Sequence, residues 1–155
     1  MRRALFSSQT VALVVAAADT DMLITKHLQR QDVEVHLTSS YGGMAEALFD
    51  EREHCPRDDR ILFVLDLRLS CGAVVIDTRL RDYDAALSAY LLSGGKWPKT
   101  LCLIEVEQTR PLWLRARPHL RATLLADEVE AVIGHPRDRE WHAGFANAIR
   151  RCLTE

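Results

Sequence analysis

Val11-Ala12-Leu13-Val14-Val15 is a continuous apolar run rich in β-branched residues. A strand with one wet face alternates apolar and polar side chains, whereas a run without alternation suits a strand covered on both faces, the position of a central strand in a parallel sheet. Residues 1–9, ahead of the run, read as a flexible lead-in. After it, Asp19 or Thr20 can cap a helix in which Met22, Leu23, Ile24 and Leu28 recur at helical spacing. Val33-Glu34-Val35-His36-Leu37 then alternates as a second strand and closes one β-α-β unit.

Further along, Gly42-Gly43 opens a helix with Met44, Ala45, Leu48 and Phe49 inward, and the polar stretch from Asp50 to Arg60, broken by Pro56, reads as a surface loop. Two runs then compete for one role. Ile61-Leu62-Phe63-Val64-Leu65-Asp66-Leu67 and Ala73-Val74-Val75-Ile76-Asp77 both look like buried strands ending in an aspartate, and only one need be the third strand. Leu80, Tyr83, Leu87, Tyr90 and Leu91 mark an amphipathic helix stopped at Gly94-Gly95. Leu101-Cys102-Leu103-Ile104 is the fourth strand. The segment from Arg110 to Asp127 is helical in pieces around Pro111 and Pro118, and Ala131-Val132-Ile133 is a short fifth strand closed by Gly134-His135-Pro136. Trp141, Phe145, Ile149 and Cys152 follow at spacings of four, four and three, one face of a last helix. Strands alternating with helices through right-handed crossovers predict a three-layer α/β domain over residues 1–155. Its five-stranded parallel sheet takes the flavodoxin-like order 2-1-3-4-5 with helices on both faces.

With 155 residues, 48% apolar and 27% charged, the chain has the size and core-forming residues of one domain. A net charge of -2 gives no global pull toward nucleic acid or anionic membrane, so nucleic acid is not expected as a partner. Cys55, Cys71, Cys102 and Cys152 include no C-x-x-C pair and read as reduced, mostly buried thiols. His54-Cys55 and Cys71 lack metal-ligand spacing, and no metal or other cofactor is expected. The apolar start is broken at once by Ser7-Ser8-Gln9-Thr10, unlike a signal peptide, and no window reaches the roughly 20 apolar residues of a membrane span. A bacterial-type cytoplasmic protein is the expectation.

Three short motifs carry a family resemblance. Leu65-Asp66-Leu67-Arg68-Leu69 looks like the end of a third strand bearing a phosphoacceptor, Ile76-Asp77-Thr78-Arg79-Leu80 looks equally like it, and Gly134-His135-Pro136 sits where a Lys-Pro pair would follow strand five. With the order of elements, these make the chain similar to a response-regulator receiver domain over nearly its whole length. The resemblance implies phosphorylation of Asp66 or Asp77 with one Mg²⁺, and it also shows what has changed. Ala16-Ala17-Ala18 stands where the metal's carboxylates belong, and Asp19 or Asp21 would have to reach back in their place. His135 replaces the clamping lysine, and Glu105 or Val106 replaces the switch hydroxyl. These departures imply a degenerate receiver that acts without phosphorylation. Pseudo-receivers of this kind, found ahead of antitermination modules, enhancer-binding ATPase regulators and some decarboxylases, work by docking to partners.

Other signals have both sharp and plain readings. Arg79-Leu80-Arg81-Asp82 and Arg81-Asp82-Tyr83-Asp84 match the R-x-x-D pattern of some cyclic-dinucleotide sites, since arginine forks grip phosphates; the plain reading is a solvated helix face. Arg110, Arg115, Arg117, His119 and Arg121 crowd around Trp113, a set able to stack a base or hold an anionic partner, unless Trp113 and Leu114 bury against the sheet while the arginines snorkel. No P-loop, G-x-S-x-G elbow or G-x-G-x-x-G occurs. The expectation is a non-catalytic protein-interaction module of bacterial signalling, working with a protein partner or as a homodimer. The alternatives are an atypical receiver phosphorylated on Asp66 or Asp77, and a sensor of a phosphate-bearing nucleotide such as a cyclic dinucleotide.

Overall fold

The computed structural model describes residues 10–16, 18–37 and 61–154. Strands β1 (Val11–Val15), β2 (Glu34–Leu37), β3 (Ile61–Asp66), β4 (Lys99–Ile104) and β5 (Val129–Ile133) form one sheet in the order β2-β1-β3-β4-β5. Every neighbouring pair is parallel. The described helices are α1 (Ala18–Gln29), α2 (Ala73–Leu92), α3 (Pro111–Ala116), α4 (Pro118–Leu125) and α5 (Arg139–Thr154).

Alternation along the three inner strands divides the core in two. Val11, Leu13, Val15, Ile61, Phe63, Leu65, Cys102 and Ile104 face one side, where Ile76, Leu80, Tyr83, Leu87 and Tyr90 of α2 and Leu120 of α4 cover them. Ala12, Val14, Leu62, Val64, Leu101 and Leu103 face the other, under Ile24 and Leu28 of α1 and Trp141, Phe145 and Ile149 of α5. The three-layer α/β architecture and its strand order are those the apolar runs imply. At about 25 cal/mol per Å² of apolar surface removed from water, a doubly covered strand such as β1, buried at all five positions, is a large contributor to folding.

The two aspartate-ended runs separate here. Ile61–Asp66 is β3, buried throughout, whereas Ala73-Val74-Val75-Ile76-Asp77 is the start of α2 and not a strand. Of its β-branched residues only Ile76 is buried, and Val74 is 79% exposed. Smaller differences have similar causes. α1 begins at Ala18, so Asp19 and Thr20 lie within its first turn and not before it. Met22 and Leu91 point outward, and β4 and β5 each start two residues earlier than their apolar cores suggest. The break between α3 and α4 falls where Pro118 lacks the N–H that would continue a helix, leaving Arg117 with φ -133° and ψ 77°. Behind α2, Gly95 lies so close to the Tyr90 ring that a Cβ there would come within 2.2 Å of it. The helix and loop expected over residues 42–60, with His54 and Cys55, lie outside the described residues.

Candidate functional site

Ligands of parallel α/β sheets bind beyond the carboxyl ends of the strands, so that edge is the place to look for chemistry. β3 ends there on Asp66, whose side chain is completely buried. Two residues on, Arg68 folds back over it. Arg68 Nε donates to Asp66 Oδ1 at 2.9 Å, Nη2 donates to Oδ2 at 3.1 Å, and the Arg68 backbone N–H reaches Oδ1 at 3.3 Å. Arg68 Nη2 also donates to Thr20 Oγ1 on α1. Arg79 of α2 donates through Nη1 to the Asp66 carbonyl and, at 3.4 Å, to the Cys71 sulfur. Burial, followed by the Asp66 charge, pushes the Cys71 thiol above its ordinary pKa, so it is a poor nucleophile at neutral pH.

The loop after β4 seals the same edge. Gln108, fully buried, donates through Nε2 to the Leu67 carbonyl at 2.6 Å and accepts the Glu105 N–H at 2.7 Å. Glu105 thus serves as the N-cap of a short 3₁₀ turn, with its side chain receiving the Gln108 N–H. His135 is half-buried after β5, where its Nδ1 accepts the Arg137 N–H at 3.3 Å. Ala16 is half-buried, and Ala17 and the side chain of Asp19 lie outside the described residues. Among the described residues, a guanidinium already holds both Asp66 oxygens, and the adjoining Ala16 contributes no side-chain oxygen. Among the described residues no group of three or more His, Cys, Asp and Glu side chains converges on a common point.

Of the two R-x-x-D pairs, Arg81 and Asp84 lie exposed on a solvated face, whereas Arg79 and Asp82 do not. Arg79 is 8% exposed and committed to Asp66 and Cys71, and Asp82 is half-buried; among the described residues neither Arg79 Nε nor Asp82 Oδ2 has a hydrogen-bond partner. Asp77, on the second turn of α2, meets Arg117, whose Nη1 lies 2.9 and 2.8 Å from the two carboxylate oxygens. The same guanidinium stands 4.4 Å from the centroid of the Trp113 ring, a cation–π contact. Trp113 and Leu114 pack half-buried against the sheet, as the plain reading of this segment has it. The arginines divide: Arg117 is tied down, while Arg110, Arg115 and Arg121 are exposed together with Leu112 and Leu125.

A further polar cluster, formed by groups far apart in the chain, lies on the opposite layer. His27 of α1 and His142 of α5 meet at 2.9 Å between Nε2 and Nδ1, and His142 Nε2 lies 2.7 Å from the Pro136 carbonyl. A carbonyl only accepts, so His142 carries its proton on Nε2 and its Nδ1 accepts from His27. Burial, then the neighbouring His142 and more weakly Arg30 and Lys26, pulls the His27 pKa below its ordinary value. Trp141 and Phe145 enclose the pair, at ring-centroid distances of 6.1 and 5.3 Å from His27.

Sequence reasoning placed Asp66 at a strand end but missed its partners Arg68, Thr20 and Gln108. The D-x-R spacing was the one available signal, because an arginine two residues beyond a buried strand end can fold back over it. No helix of the described residues is long and apolar enough to cross a membrane. No family model matches the chain, and no curated protein is significantly similar to it.

Proposed function

We propose that this domain is a non-catalytic docking module, a receiver-like scaffold that works without phosphorylation and binds a protein partner through the α3–α4 segment. The observation that carries this reading is the closed state of Asp66. Asp66, the carboxylate on which β3 ends, is buried and held on both oxygens by Arg68, which leaves a phosphodonor neither access nor a free oxygen. Asp77, the other candidate acceptor, lies on a helix and is paired with Arg117. By contrast, α3 and α4 present what a protein interface uses: Leu112 and Leu125, 78% and 71% exposed, among arginines. An isolated exposed leucine means little, but two on a segment of two short helices, beside three arginines that enter no ion pair among the described residues, make an apolar patch edged by a residue type enriched at interfaces.

The reading has a direct test. The chain is incubated with acetyl phosphate and Mg²⁺, and its intact mass is measured; no phosphorylated species is expected. Wild type, Leu112→Asp and Leu125→Asp are then used as baits in host lysate with cross-linking. One protein held by wild type and released by both variants, with urea midpoints unchanged, is the expected result. A stable phosphoryl adduct on Asp66, or a partner held equally by all three baits, overturns the proposal.

A further inference from the structure

The α3–α4 surface contains a groove of about 340 Å³ lined by Leu114, Pro118, Ala122 and Leu125 and flanked by Arg115 and Arg121. Its volume is at the small end of ligand clefts, and its floor is aliphatic. The charge around it is one-sided. Residues 110–126 contain four arginines and no aspartate or glutamate, in a chain whose net charge is -2. Arg117 is neutralised by Asp77, but among the described residues neither Arg115 nor Arg121 enters an ion pair.

We propose that this groove docks an acidic peptide segment of another protein, with one apolar side chain on the aliphatic floor and flanking carboxylates on Arg115 and Arg121. The inference rests on the docking-module reading and names its partner's chemistry. Other occupants fit less well. A single strand of nucleic acid is gripped by stacking its bases on aromatic side chains, and the one tryptophan nearby is packed against the core with Arg117 over its ring, while the groove floor offers none. A second copy docked about a twofold axis through the groove would set Arg115 and Arg121 against their own images, a like-charge contact that disfavours association. A carboxylate-bearing helix or strand meets both demands at once, because arginine forks match carboxylates bidentately.

A phage-displayed random dodecapeptide library panned on the full chain tests this. Enriched peptides are expected to combine an apolar residue with two or more Asp or Glu, to bind more weakly as salt rises, and to bind Arg115→Glu/Arg121→Glu at least about tenfold more weakly. The conservative Arg115→Lys/Arg121→Lys pair should retain part of the affinity, which separates loss of charge from loss of fold. Enrichment of purely apolar or basic peptides, equal binding by the charge-reversed protein, tighter binding of single-stranded oligothymidine, or self-association abolished by the same reversal each overturns the inference. The two proposals fail separately. If no acidic peptide is enriched while the lysate partner is still lost on Leu112→Asp, the docking module stands and its acidic-peptide chemistry falls.

Discussion

Two aspartate–arginine pairs sit in this molecule at the ends of two look-alike apolar runs, and they differ in almost everything but composition. In the Asp66–Arg68 pair the side chains are 0% and 5% exposed; in the Asp77–Arg117 pair they are 39% and 23% exposed. The first is a strand end tied by a residue two positions away, so the loop is short and the fork geometry is fixed. The second joins α2 to the hinge between α3 and α4 across 40 residues and rests on an indole ring. Charges taken out of water are costly alone and tolerable together, whereas charges at the surface are already solvated. Breaking the buried pair therefore strands a charge at the sheet edge, whereas breaking the surface pair only adjusts how one segment lies on another.

Arg68→Ala should break the comparison most visibly. It leaves a buried carboxylate without its cation and should cost about 3–5 kcal/mol of unfolding free energy, read from urea denaturation. The double replacement Asp66→Leu/Arg68→Met should recover much of that loss, since a buried pair exchanged for apolar groups of similar volume is often neutral. A double variant no more stable than Arg68→Ala would show that Thr20 and the loop, and not the charge, are what Arg68 serves. The His27–His142 contact extends the same logic to pH. His27 has a lowered pKa in the fold, so the unfolded chain binds the proton more readily. Its contribution is complete above the unfolded value of about 6.5 and is lost as pH falls from there toward the folded value. The urea midpoint should decline with acid in that window, and His27→Gln should flatten the decline. Asp77→Ala should have the smallest effect, at most about 1 kcal/mol, with a marked salt dependence. A cost as large as that of Arg68→Ala would mean that the hinge at Arg117 is structural to the whole domain.

Much of the fold was legible in the sequence because the inner strands carry their burial on their face. Val11–Val15, Ile61–Asp66 and Leu101–Ile104 have no polar interruption before their last residue, and that pattern belongs to strands covered on both sides. The Ala73–Asp77 run misled for a physical reason. Five residues are too few to distinguish the helical from the extended period, and Val74 and Val75 carry the β-branched signature without the burial that usually accompanies it. At the site, the position of Asp66 was readable and its neutralisation was not, because Arg68 and Arg79 look like solvated cations until the fold puts a carboxylate and a carbonyl beside them. The His27–His142 contact spans 115 residues of chain, and neither histidine has a neighbour in sequence that marks it.

Trp141 extends the use of that contact. Its indole is 3% exposed and stands edge-on to His142 at 5.1 Å and to His27 at 6.1 Å. A protonated imidazole beside an indole quenches its emission by accepting an excited electron, whereas a neutral imidazole does so far less. Of the chain's three tryptophans, Trp97 and Trp113 lie on the other layer. Replacing those two by phenylalanine would leave a chain whose ultraviolet emission reports the charge on one histidine pair, making the docking of α1 on α5 visible as light without any added label.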